Sequence, residues 1–384
     1  MEEEEYYGGR LGPVVIIVGA GPAGLATAAC LSVLCIPFVV LERDDCIASL
    51  WRRRTYDRLS LHLAKRFCQL PHVPHPAGSP TFIPRADFIR YLDAYAAGFG
   101  IRPRLGVAVE SAVFNHGEGK WVVTARSVAT GEETEFTGRF LVVATGENSE
   151  PYVPEFAGME SFSGEAVHSV SYKNGAKYEG KSVLVVGCGN SGMEIAYDLC
   201  NHGAFTSISV RSKMQFHVVT KEIIHKGMLL LKHNILPLSL VDKLVIFLMK
   251  LKHGDLSKYG IERPKEGPFF LKETTGRSPV IDVGTVRRIK SGEIKVLPGI
   301  LRIEGSLVKF TNGASLFFDA IIFATGYKSL ANKWLKDENN LLNERGLPRR
   351  RFSDHWKGEK GVYCAGRAVN DSISSRSDFG SKLN

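Results

Sequence analysis

Short unbroken apolar runs, each followed by a turn and an amphipathic or small-residue stretch, set the pattern of the chain. Pro13-Val14-Val15-Ile16-Ile17-Val18 is too short for a helix and apolar on both alternating faces, which predicts a buried strand of a parallel sheet. Ala23 to Ser32, small and apolar, predicts the helix behind it, and Phe38-Val39-Val40-Leu41-Glu42 a second strand. The same strand, Gly-rich turn and helix recur once, at Ser182-Val183-Leu184-Val185-Val186 and Asn190 to Cys200. Phe140 to Gly146 and Ala320 to Gly326 are two further buried runs, each closing on Ala-Thr-Gly. Pro71 to Pro84, rich in Pro and His, predicts a surface loop, and Ala86 to Phe99 a helix. In Ile223 to Leu251 the apolar clusters are broken by Lys232, Asn234, Pro237, Asp242 and Lys243, which predicts two amphipathic helices rather than a membrane span. Those helices are expected to pack on a substrate site or partner; Lys243, Lys250 and Lys252 beside the apolar face leave weak membrane-surface association as the alternative.

These elements predict an α/β fold of two Rossmann-like dinucleotide-binding domains, the second inserted into the first. The expected spans are 12–170 with 317–384 for the first domain and 171–316 for the second, with linkers near Pro151 to Tyr172 and Leu297 to Phe318. A chain of 384 residues is long enough for two such cores. With 44% hydrophobic and 23% charged residues it has the composition of a soluble globular protein. The net charge of +9 suits phosphate-rich cofactors, and no motif with a nucleic-acid mechanism accompanies it. Seven cysteines show neither CxxC nor metal-ligand spacing, which predicts no metal site and a reducing, cytoplasmic setting. Cys30 and Cys35 fall within and at the end of the first helix and are expected to be core thiols. The acidic Met1 to Glu5 is unlike a signal peptide.

Gly19-Ala20-Gly21-Pro22-Ala23-Gly24 follows a strand and opens a helix, the context that makes GxGxxG informative. Gly19 permits the tight turn, Gly21 lets backbone approach a pyrophosphate, and Gly24 lets helix and strand pack closely, with Pro22 and Ala23 at the helix start. Glu42, followed by Arg43, ends the next strand, where a carboxylate accepts hydrogen bonds from a ribose diol. In the second copy, Gly187-Cys188-Gly189-Asn190-Ser191-Gly192, the following strand ends instead in Arg211 and runs on to Lys213. A cation there suits the 2′-phosphate of NADPH. One site for FAD and one for NADPH allow hydride to pass between them. A disulfide reductase would also need a redox cysteine pair, whereas a monooxygenase needs only a dry pocket over the flavin.

Phe162-Ser163-Gly164-Glu165-Ala166-Val167-His168-Ser169-Val170-Ser171-Tyr172 fits F-x-G-x-x-x-H-x-x-x-Y. Here the chain resembles the flavin-containing monooxygenases. Ser49-Leu50-Trp51, Tyr56 to Leu63, Phe67 to Pro71, Ala144 to Pro151, Gly187 to Glu194, Thr274 to Val280 and Phe323 to Tyr327 narrow the resemblance to the plant YUCCA family, over roughly Gly12 to Gly366. The resemblance implies FAD- and NADPH-dependent conversion of indole-3-pyruvate to indole-3-acetate (auxin) with O2, through a flavin C4a-peroxide. It implies Trp51, Leu61 and His62 along the flavin, Ala324, Thr325 and Gly326 among the cofactor contacts, and His62, Asn148 and His168 as catalytic candidates. It also suggests a place at the endoplasmic reticulum surface. An N- or S-oxygenating flavin monooxygenase is the alternative. After Gly366 the family pattern lapses: Ser372 to Ser381 is polar without an apolar stripe, so weaker FAD binding or an impaired enzyme is a further expectation.

Overall fold

The protein is described by a computed structural model over residues 13–211, 217–276, 278–336, 341–348 and 357–366. The expected features at Lys213, Arg277 and 367–384 lie outside these residues.

Two parallel sheets organise the chain. The first has four strands in the order Val362–Cys364, Phe140–Val143, Val15–Val18, Phe38–Leu41, with Val15 opposite both Phe38 and Phe140. Strand residues alternate faces, and both faces are covered. Val15, Ile17, Val40 and Val142 pack under the helices Pro22–Val33 and Arg85–Gly98. Ile16, Val18, Val39, Leu41, Leu141 and Val143 meet Ala112, Trp121 and Val123 of an antiparallel sheet formed by Val107–Asn115, Lys120–Ser127 and Glu133–Gly138.

The second sheet has five strands, ordered Ile294–Leu297, Phe205–Ser209, Ser182–Val186, Ala320–Phe323, Glu165–His168. Val183, Val185, Ile208 and Ile322 face the helices Asn190–Asn201 and Thr285–Lys290. Leu184, Val186, Ile321 and Phe323 face Ile303, Val308 and Phe310. The second unit therefore repeats the plan of the first: a parallel sheet between helices and a small antiparallel sheet.

This arrangement corrects three expectations. Leu297 to Phe318 is not a linker; it folds as Ile300–Glu304, Leu307–Phe310 and Ser315–Phe317, the antiparallel sheet that buries one face of the second unit. Glu165–His168, placed in the other linker, is an edge strand of that unit, and Ala320–Phe323 pairs with Ser182–Val186 from Ala320↔Val183 onward. The second sheet thus draws on 165–323 rather than 171–316, because runs apolar on both faces are buried only between neighbouring strands. Cys35 is not a core thiol. The helix ends at Val33, and Cys35 sits exposed at φ 53° where the chain turns back to Phe38, while Cys30 is half-buried with its Sγ 3.7 Å from His72 Nε2.

Lys221–Lys232 and Leu238–His253 are the two expected amphipathic helices, joined through Ile224, Met228, Leu231, Val241, Val245, Met249 and Phe269. Among the described residues no helix is long and apolar enough to cross a membrane.

Candidate functional site

The two Gly-rich turns have the same construction, atom for atom. Gly19 sits at φ +110°, and a Cβ there would stand 2.6 Å from the Ala144 carbonyl oxygen; at Gly24 it would stand 1.9 Å from the carbonyl of Gly19. In the second turn, Gly187 at φ +111° approaches the Ala324 carbonyl, with 2.5 Å left for a Cβ, and Gly192 approaches Gly187, with 2.0 Å left. The middle glycines, Gly21 and Gly189, are different: no heavy atom lies within 4 Å of a Cβ built on either. Each is the N-cap of its helix with no side-chain cap, so the first-turn N–H groups face that open space. Two uncapped helix starts, each with a cleared approach, fit two pyrophosphates. Ala144 and Ala324 explain why Ala-Thr-Gly recurs: each closes the strand against its turn. Thr145 Oγ1, next to the first turn, is buried and has no partner in the protein, a polar atom available to a bound group.

Glu42 is buried beside the first turn. Its Oε2 accepts from the Ala20 N–H (2.7 Å) and its Oε1 from the Asp44 N–H (3.0 Å). Burial raises its pKa above the ordinary carboxylate value, against these two bonds, which lower it. Glu42 therefore pins the turn as well as ending the ribose-side strand. Arg43 is exposed, with Nε 3.9 Å from Asp44 Oδ1. Trp51 packs edge-on against Phe88 at 4.7 Å, and its carbonyl accepts from Arg85 Nε. Leu61 is buried in the same cluster.

His62 and His168 are both engaged by the protein. His62 Nε2 lies 2.8 Å from Glu194 Oε1, a carboxylate only 3% exposed on the second fingerprint helix. His62 is thus a bridge between the units, with no hydrogen bond at Nδ1 among the described residues. His168 accepts the Val170 N–H at Nδ1 (3.1 Å) and donates from Nε2 to the Gly326 carbonyl (3.1 Å). Burial holds its pKa below the ordinary value. With both ring nitrogens bonded to backbone groups, His168 ties the Glu165–His168 strand to the Gly326 turn in this structure.

The rest of that motif is engaged by the protein as well. A Cβ at Gly164 would stand 2.3 Å from the Asp319 carbonyl, and the buried Tyr172 hydroxyl donates to Asp198 Oδ2 (2.6 Å). Asn190 is likewise committed: its Oδ1 accepts from the Ile281 N–H (2.8 Å), tying the 279–282 segment to the helix start. Ser191 lies against the Tyr56 hydroxyl. Asn148 is exposed, on a loop closed by the Ser149 hydroxyl donating to the Thr145 and Gly146 carbonyls. The Thr325 hydroxyl donates to the Tyr152 carbonyl. Arg211 is exposed at its strand end beside Gly299, with no ion-pair partner among the described residues.

A cavity of about 490 Å³ opens between the units, lined by Arg58 and Ser60 from the first and by Glu194, Lys221, Lys252 and Asp282 from the second. In the sequence Arg58 and Glu194 fall only inside longer motifs, and Lys221 carries no local signal. A carboxylate inside the buried first turns of a helix was the available signal for Glu194. The described residues contain no cluster able to hold a metal, and all seven cysteines are free.

Residues 16–224 match the pyridine nucleotide-disulphide oxidoreductase family model. The chain is 53% identical over 354 residues to the probable indole-3-pyruvate monooxygenase YUCCA10 of Arabidopsis thaliana, covering 92% of this chain and 91% of that protein. It is 46% identical over 369 residues to the indole-3-pyruvate monooxygenase YUCCA1 of Oryza sativa subsp. japonica, covering 95% and 89%. Among solved structures, a flavin-containing monooxygenase from Stenotrophomonas maltophilia aligns with TM-score 0.67 at 21% identity, covering 93% of this chain and 91% of that one. An oxidized steroid monooxygenase bound to NADP aligns with TM-score 0.71 at 17% identity, covering 94% and 81%. At these identities the structural matches show the fold.

Proposed function

Because this chain belongs to the YUCCA family of indole-3-pyruvate monooxygenases, within the wider pyridine nucleotide-disulphide oxidoreductase family, we propose that it converts indole-3-pyruvate to indole-3-acetate with FAD, NADPH and O2. The observation that carries this reading is the pair of matching cradles at Gly21 and Gly189, each uncapped and cleared. FAD when bound supplies the redox and oxygen chemistry. The protein's own part is to hold and orient. The Gly19–Gly24 turn, braced by Glu42, receives the FAD pyrophosphate; the Gly187–Gly192 turn receives that of NADPH, with Arg211 for the 2′-phosphate. His62 and Glu194 fix the first unit against the second, so that the two cofactors meet in one geometry.

The test is to purify the protein with its flavin and supply NADPH and indole-3-pyruvate in air. Indole-3-acetate should form with one NADPH oxidised and one O2 consumed per product. A protein that cannot be loaded with flavin, or that oxygenates only amines or thioethers, overturns the reading.

A peripheral place on an anionic membrane surface has its own observation. On the helix Leu238–His253, Leu240, Leu244, Phe247 and Leu251 are exposed along one face, with Lys243 and Lys250 on the same helix. An apolar stripe with lysines beside it suits the boundary of an anionic bilayer. The protein is expected to sediment with phosphatidylserine vesicles at low salt, and a Leu244→Glu, Phe247→Glu variant to stay in the supernatant. Equal recovery of both proteins in the pellet or in the supernatant removes this reading.

A further inference from the structure

The interdomain cavity carries cations that the cofactor turns do not explain. No residue of either Gly-rich turn lines it, and neither does Arg211. Its volume of about 490 Å³ lies within the range of small-molecule sites. Of the carboxylates on its wall, Glu194 is bonded to His62, and Asp282 Oδ1 accepts the Gly284 and Val286 N–H groups (3.1 Å each) at the start of the Thr285–Lys290 helix. Glu222 is exposed.

The half-buried cations rest on aromatic rings, and Arg58 Nη1 also donates to the Glu194 carbonyl (3.5 Å). The Arg58 guanidinium stands 4.5 Å over the Tyr197 ring, and Lys221 Nζ 5.2 Å from the centre of the Phe82 ring. Neither forms an ion pair with any carboxylate among the described residues. Burial pulls the Lys221 ammonium below its ordinary pKa, against the Glu194 and Glu222 carboxylates, which raise it; an arriving anion would offset the cost of burial in the same way. Beyond Lys221, Phe82 and Phe67 both pack against the His225 ring, at 6.4 and 5.8 Å. An aromatic wall therefore adjoins the cation pair.

We propose that Arg58 and Lys221 hold the carboxylate of an aromatic 2-oxo acid in this cavity, with the ring directed to Phe82. This assignment rests on the function proposed above and names what selects an acid there. A positively charged amine would be repelled by the same two groups, and a neutral thioether would leave them without a counter-ion.

The test uses the FAD-loaded oxidised enzyme without NADPH, in which indole-3-pyruvate binds but does not react, and compares the acid with its methyl ester by calorimetric titration. The native protein should bind the acid at least about tenfold more tightly than the ester. Arg58→Met and Lys221→Met should each remove most of that preference, and Arg58→Lys should restore part of it. With NADPH present, the KM for indole-3-pyruvate should rise in step. Flavin absorbance and melting temperature report whether each variant folds, and Lys221→Met keeps the test decisive if loss of the Tyr197 stack unfolds Arg58→Met. Equal binding of acid and ester by the native protein, or an intact preference in folded variants, overturns the assignment. So does a variant that weakens NADPH and not the acid. Turnover of indole-3-pyruvate by the native enzyme with unaltered variants would defeat this assignment alone, whereas absence of that turnover would defeat the proposed function.

Discussion

Gly21 and Gly24 are three residues apart in one fingerprint, yet their reasons for being glycine differ. Gly21 has φ −76° and ψ −177°, which any residue adopts, and nothing within 4 Å of a Cβ. Gly21→Ala should therefore fold with a native melting temperature and fail to retain FAD, since its methyl enters only the cofactor's space. At Gly24 a Cβ would stand 1.9 Å from the Gly19 carbonyl, so Gly24→Ala should cost about 1–3 kcal/mol of stability through backbone displacement. Melting curves beside flavin absorbance separate the two; equal destabilisation by both would mean that Gly21 is packed rather than cleared. Arg211 is exposed and unpaired among the described residues, so its truncation should cost the fold little. Loss of a charged hydrogen bond of about 1.5–3 kcal/mol should raise the KM for NADPH roughly ten- to hundredfold and leave that for NADH in place. Parallel loss of both coenzymes would show Arg211 holding the strand end instead.

Helices and strands explain which motifs bind and which only hold. The Phe162 to Tyr172 pattern looks chemical in sequence, but in the fold it contains the edge strand Glu165–His168, and His168, Gly164 and Tyr172 each meet a specific neighbour: the Gly326 carbonyl, the Asp319 carbonyl and Asp198. The helix Lys221–Lys232 begins at Thr220, whose side chain accepts from the Ile223 N–H at 3.4 Å. Thr220→Ala should lower stability by about 1 kcal/mol, and Thr220→Ser should not. Because Lys221 is the first residue of that helix, the Ala variant should also weaken binding of the 2-oxo acid. An unchanged melting temperature and KM would show that packing alone, through Ile224 and Met228, sets the helix start. The antiparallel strands within Leu297 to Phe318 are each too short to stand out by periodicity, although Asn312-Gly313 is a hairpin signal and Gly313 adopts φ +85°.

Across the whole molecule, buried histidines link folding to pH. His75, His168, His217 and His253 are all buried, and burial lowers each pKa from the ordinary value of 6.5. The unfolded chain then binds protons near pH 6.5 that the folded one refuses, so ΔG of unfolding increases with pH across this window. The stability is fully present above 6.5 and is lost as pH falls from there through the lowered native values. Thermal melts should show a decline from pH 7 toward pH 5, before most carboxylates titrate. A level profile would mean that these imidazoles charge in place. The same interior joins the two units through the His62–Glu194 pair and places the cavity between them.

The two dinucleotide turns, the strands that feed them and their repeated order follow from the order of residues alone, since runs apolar on both faces and glycines at fixed spacing leave few other structures. The order of residues also marked the family, and with it the class of chemistry. Only the fold shows which of the candidate side chains are free. His168 and Asn190 were candidates in sequence, and the fold occupies both with backbone groups. Arg58 and Lys221, 163 positions apart by number, carry no local signal; they become a pair only when the loop of one unit closes on the helices of the other. Periodicity reports the environment of an element, whereas a site between units depends on contacts far apart along the chain.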